Sequence, residues 1–180
     1  MNSYIATTVV GDANGQLIND MDRLTNKQGQ LIIDERKAIR QIMVRHNGSP
    51  VSDSVIFGLN VWYKLKDSSE LLEIRHGYQA APISPVSLGD AEVLVGIFGR
   101  AGYQTSSTEH KVIGSIGFTI YNTETATVRT EGPFGVGAHE NSGQWEPFYV
   151  SDVMALGAYA LDTEAPLLTG LIFYKPILSA

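Results

Sequence analysis

The chain has no cysteine among its 180 residues, which excludes a disulfide framework and any thiolate metal site. Charge is sparse. Asp, Glu, Lys and Arg make up 18% of the residues, with 13 basic groups against 19 acidic ones and a net charge of −6. No basic run is longer than Arg36-Lys37, and a phosphate backbone is held by clustered cations, so nucleic acid is not an expected partner. Long apolar runs are missing too. The stretch over residues 153–161 is too short to span a bilayer, and no membrane insertion is expected. Met1-Asn2-Ser3-Tyr4 lacks the basic start and apolar core of a secretory signal. The expectation is a cytoplasmic protein, one secreted by a non-classical route, or one whose leader has been removed.

What is present favours strands. Apolar residues reach 43%, and 18 glycines accompany repeated Val, Ile, Thr, Phe and Tyr. The length suits one domain over residues 1–180, long enough to bury a continuous core. Three six-residue phrases share one pattern of apolar, any, small, apolar, any, apolar. They are Ile56-Phe57-Gly58-Leu59-Asn60-Val61, Ile113-Gly114-Ser115-Ile116-Gly117-Phe118 and Leu168-Thr169-Gly170-Leu171-Ile172-Phe173. Each follows another apolar run, at Ile42-Met43-Val44, Val93-Leu94-Val95 and Val153-Met154-Ala155, across a polar or glycine-containing loop. The chain therefore reads as three copies of one β-hairpin unit.

Between these units the punctuation is less regular. Leu59, Val61, Tyr63 and Leu65 alternate onto one face of a strand. The segment Gly132-Pro133-Phe134-Gly135-Val136-Gly137 reads as a turn or bend. Residues 34–43 have an acidic start and near-helical apolar spacing, but a strand opening near Ile39 fits the first repeat better. Residues 22–37 read as a long polar hairpin tip.

Motifs for catalysis are absent. His46, His76, His110 and His139 are scattered without ligand spacing, and His139-Glu140 lacks the second histidine of a zinc-protease helix. There is no G-x-S-x-G elbow, no phosphate loop and no dinucleotide glycine pattern. Asp20 and Asp22 read as ordinary surface carboxylates, and His76, next to Gly77, as a loop residue. Neither an enzyme nor a cofactor is expected.

With the repeats in place, the ordered residues resemble the jacalin-related lectin family over nearly the whole chain. The resemblance runs through Val10-Gly11-Asp12-Ala13-Asn14-Gly15, then Gly58-Leu59-Asn60-Val61-Trp62-Tyr63, His76-Gly77, and residues 88–99. It continues through Gly132-Pro133-Phe134-Gly135 and ends on Gly170-Leu171-Ile172-Phe173-Tyr174. It implies an all-β fold, the β-prism, with three antiparallel four-stranded sheets about a pseudo-threefold axis. It also implies reversible, metal-independent binding of glycans through loops at one end, with mannose or glucose preferred and avidity from several sites or a homo-oligomer. The alternative left open is a β-prism with degenerate sugar loops that binds protein, or a targeting or defence lectin associated with a toxin.

In that family one carboxylate and neighbouring backbone amides hold the sugar hydroxyls, because a carboxylate accepts two such bonds while N–H groups donate to the same oxygens. The resemblance places the principal site at Gly15, Ala158, Tyr159, Ala160, Leu161 and Asp162. A second site is implied at Gly48 and Asp53, where Gly48-Ser49-Pro50-Val51-Ser52-Asp53 repeats the spacing of Gly157 to Asp162. That spacing is one residue longer than the family's Gly-x-x-x-Asp. Aligned from the closing strand instead, Thr169 stands where the acid belongs. Asp162 and Asp53 as turn formers, and Tyr159 as a core residue, remain competing readings. Trp145 reads as a partly buried loop anchor.

Overall fold

A computed structural model describes residues 4–46, 55–104, 109–135, 145–161 and 166–177. Its strands form three antiparallel sheets. The first combines β12 (Ala155–Ala160) and β13 (Leu168–Pro176) at its centre, with β3 (Gln16–Asn19) beside β12. On the far side of β13 lie β1 (Tyr4–Ala6) and β2 (Val10–Gly11), which pair with successive parts of that strand and so occupy one strand position. The second sheet has the order β6-β5-β4-β7, with β4 (Ile39–His46), β5 (Ile56–Lys64), β6 (Leu71–Gly77) and β7 (Ile83–Ser87). The third repeats that order as β10-β9-β8-β11, with β8 (Glu92–Gly102), β9 (Val112–Asn122), β10 (Thr127–Phe134) and β11 (Trp145–Ser151).

The three phrases open the central strands β5, β9 and β13, and their shared pattern has a structural cause. Strict alternation would turn every second residue inward. Here the first, fourth and sixth face the core, which requires one extra residue between the first and third positions. Register shifts lie at that place in all three sheets, opposite Arg45/His46, Arg100/Ala101 and Tyr159/Ala160. Phe57, Gly114 and Thr169 are the residues left out of the ladder. Beyond the bulge Val61 faces Ile42, Phe118 faces Ile97 and Phe173 faces Leu156, and none of these six is more than 1% exposed. Each such side chain contributes about 1.5–3 kcal/mol of transfer free energy. All six belong to one hydrophobic cluster drawn from the three sheets. Phe118 pairs with Ile97, while Val93 and Leu94 of the apolar run pair further along the same strand with Tyr121 and Ile120.

Two expectations are corrected by the structure. The polar tip expected over residues 22–37 instead sends Leu24, Leu31 and Ile33 into the core, and it begins with a short helix, α1 (Met21–Leu24). Thr25 bridges to Leu31 and Ile33 to Leu65, so the excursion folds back onto β5 rather than projecting. Gly132-Pro133-Phe134 is also not a free turn. It lies within β10, where a bulge between Glu131 and Phe134 absorbs the irregular backbone at Gly132, φ +87°. The strand opening at Ile39 is as expected.

Glu92 joins the second and third sheets away from the core. Arg129 donates to both of its carboxylate oxygens, at 2.7 and 2.9 Å, and to Ser87 O, while the Gly89 N–H donates to it at 2.8 Å. Arg40 spans the same junction through Leu88 O and Glu92 O. The Arg129 bonds foremost, then the Gly89 N–H, hold the Glu92 carboxyl down to about 2. A carboxyl lowered from 4.5 stabilises the fold fully above that value and loses its contribution as pH falls toward 2. Denaturant midpoints should therefore drop between pH 4.5 and 2, and Glu92→Gln should flatten that part of the profile. An unchanged acid limb in the variant would assign the loss to other carboxylates.

Candidate functional site

The bulges place three sets of loops at one end of the molecule. The β4–β5, β8–β9 and β12–β13 connections start there, as do those joining β2 to β3, β6 to β7 and β10 to β11. Contacts between sheets gather these ends into a rim. A β-carbon on Gly77 would come within 2.9 Å of Leu168 Cδ2, and one on Gly135 within 2.9 Å of Ile56 Cδ1. The Lys111 N–H donates to Asp12 Oδ2 at 2.9 Å, and Lys111 Nζ pairs with Glu146 at 3.0 Å. In the first and second sheets the carbonyl exposed by the bulge is used by a loop. Thr169 O accepts from the Asp12 N–H at 2.8 Å, and Phe57 O accepts from the Tyr78 N–H at 2.9 Å.

In the first sheet the β2–β3 loop lies directly on the base of the β12–β13 loop. Gly15 has φ +94°, and a β-carbon there would sit 2.1 Å from Ala160 O and 2.9 Å from Leu161 N. Only a residue without a side chain allows this approach. The Thr169 hydroxyl donates to Asn14 O, and the Leu161 N–H donates to Leu167 O at 3.2 Å. Gly15, Ala160 and Leu161 are thereby brought together from two distant parts of the chain. A polar ligand above them would meet mainly backbone.

The other expected site residues separate. Tyr159 pairs with Leu17 across the strands, and both lie on the outer face, because Ala158 and Ala160 on either side of Tyr159 join the core. Tyr159 is half-buried and Leu17 is 39% exposed, which makes a small apolar shelf just below the rim. Ala158 is 1% exposed and its backbone pairs with Ile18 and Leu171. Its side chain fills the core and does not reach the rim, contrary to its expected place among the ligand-binding residues. Thr169 is fully buried with its hydroxyl engaged, so the alternative alignment that gives it the acid's role fails on geometry. Asp162, Gly48 and Asp53 lie outside the described residues. Trp145 is half-buried at the start of β11, as an anchor should be.

Sequence reading missed a buried polar cluster in the core, built around the end of β3 away from the rim. Asp20, Tyr63 and His76 are all fully buried, so Asp20 is no surface carboxylate and His76 is a strand residue rather than a loop one. Tyr63 Oη donates to Asp20 Oδ2, and His76 Nε2 lies 3.0 Å from Asp20 Oδ1. That second contact is close enough for an ion pair but is not aligned as a hydrogen bond. Burial, reinforced by the neighbouring Asp20 charge, raises the Tyr63 phenol well above its ordinary value. Among the described residues, no group of three His, Asp or Glu side chains is arranged to hold a metal ion.

No family model and no curated protein sequence matches the chain. Solved structures do. A mannose-binding jacalin-related lectin from Ananas comosus superposes with TM-score 0.62, covering 97% of this chain and 99% of its own at 18% identity. The fold is that of the jacalin-related lectins. Artocarpin, described as a lectin with mannose specificity, shares this β-prism at TM-score 0.67 and 17% identity, over 99% of this chain and all of its own. The mannose-binding lectin of champedak does so at 0.64 and 18%, over 97% and 96%. The β-prism expected from the sequence is therefore the observed architecture, with the likeness extending over both chains almost end to end.

Proposed function

We propose that this chain is a single-domain lectin that binds glycans reversibly at the rim of the first sheet, with a preference for mannose-type sugars. The observation that carries the reading is the close seating of Gly15 against Ala160 and Leu161. It joins two loops into one shallow backbone surface, immediately before Asp162 in the chain. A carboxylate at that point would accept two sugar hydroxyls while adjacent N–H groups donate to the same oxygens. Tyr159 and Leu17 flank the surface with apolar area for the ring's C–H face. Structures of the same fold are described as mannose-binding, one of them as a complex with mannotriose, which supports this sugar class. The binding requires no metal and no catalytic group. A second site at Gly48 and Asp53 in the equivalent loop of the second sheet, or assembly into a homo-oligomer, would supply avidity.

A glycan array with the wild type, Asp162→Ala and the double variant with Asp53→Ala provides the test. Mannose-type glycans should be retained by the wild type and weakened about tenfold or more by Asp162→Ala, the scale of one lost charge-assisted hydrogen bond. A folded wild type that binds no glycan would instead identify a protein-interaction module. Undiminished binding by the double variant would remove both carboxylates from the site.

A further inference from the structure

The outer face of the third sheet carries three aromatic rings, each lying over a glycine. A β-carbon on Gly96 would meet three atoms of the Tyr149 ring, Oη, Cε2 and Cζ, between 2.7 and 2.9 Å. One on Gly117 would meet Phe98 Cζ at 2.4 Å, and one on Gly114 would meet Trp145 Cζ3 at 2.2 Å. The glycines thus make room for rings that lie down on the sheet instead of standing out from it. Tyr149 remains 63% exposed. Its outward direction follows from its neighbours on β11, since Phe148 packs against Phe173 and Val150 is buried. Trp145 and Tyr149, four residues apart on one strand, are separated by about 13 Å along it. Tyr149 and Phe98 are direct cross-strand partners.

We propose that this paved face is a second glycan-binding surface, independent of the rim, that takes an extended oligosaccharide chain lying along the strands. The chemistry matches on both counts. Recumbent rings offer flat π-faces to the C–H faces of pyranoses, and they leave no protruding knob for a pocket in a protein partner. Polar groups accompany the rings on this face, with Arg100, two residues from Phe98 on β8, and Thr130 on β10 both exposed. Such groups suit the hydroxyls that edge each sugar ring. The core of a protein–protein interface would instead be depleted of charge.

Calorimetric titration with a flat β-1,4-linked mannohexaose and with free mannose separates this surface from the rim. Tyr149→Ala should weaken the hexasaccharide about tenfold while changing mannose affinity little, whereas Tyr149→Phe, which keeps the ring, should stay within about twofold of wild type. Asp162→Ala should leave the Tyr149-dependent part of hexasaccharide binding in place. Equal hexasaccharide affinity in wild type and Tyr149→Ala, at matched thermal midpoints, would overturn the proposal. So would a concentration-dependent dimer in sedimentation that Tyr149→Ala abolishes, because the face would then be covered by a second copy of the chain.

Discussion

Replacing Asp20 by alanine is expected to destabilise the fold by about 2–4 kcal/mol, because it leaves the buried Tyr63 hydroxyl and the His76 ring without the carboxylate they face. Asp20 stands at the junction of β3 and α1, and its carboxylate meets Tyr63 from β5 and His76 from β6. The cluster therefore links the first sheet to the second through three side chains that are all fully buried. Without the carboxylate, the Tyr63 hydroxyl and the His76 ring would both be left in the core, keeping only the long 3.4 Å contact from the Leu156 N–H to Tyr63 Oη. Tyr63→Phe removes a donor but no charge and should cost about 1–2 kcal/mol. Equilibrium unfolding in urea at neutral pH reads both differences. A loss below about 1 kcal/mol for Asp20→Ala would show that the cluster is hydrated or rearranges freely.

The second large effect concerns Gly77, where two independent penalties coincide. Its φ is +66°, and an added β-carbon would lie 2.2 Å from Phe57 O, the carbonyl released by the bulge of the second sheet. Backbone surrounds that position, so relief requires opening the bulge or the adjoining loop. Gly77→Ala is expected to cost about 2–4 kcal/mol, above the strain of a left-handed alanine alone. Gly29 supplies the control. It has φ +73° and nothing within 4 Å of the added carbon, so Gly29→Ala should lose only about 1 kcal/mol. Similar losses in thermal or urea unfolding would show that the bulge carbonyl gives way. Gly11, φ +84° with Thr169 O at 2.3 Å, holds the matching position in the first sheet and should behave like Gly77.

The repeat was legible because the bulge leaves a local trace. Ile56, Leu59 and Val61 must face inward around one extra residue, and the same constraint shapes Ile113 to Phe118 and Leu168 to Phe173. The excursion between β3 and β4 was not legible. Leu24, Leu31 and Ile33 are spaced too irregularly to show that they return to a core built by distant strands. The polar cluster had no sequence signal at all. Asp20, Tyr63 and His76 are far apart along the chain, and nothing local distinguishes a buried aspartate from a surface one.

The site divides along the same line. The resemblance pointed to Gly15, Tyr159, Ala160 and Leu161 as well as Ala158, but only the strands show that the side chains of Ala158 and Ala160 turn into the core while Tyr159 faces outward.

What the amino-acid order alone determined is the triplicated hairpin, its all-β character and, with no cysteine, the lack of thiolate chemistry, because these depend on residue type and short-range period. Which carbonyls the bulges hand to the loops, which glycines lie against backbone and which rings recline on the third sheet were decided by the packing of strands remote in sequence. Close approach between such strands is a property of three sheets sharing one core, and no short stretch of the chain contains it.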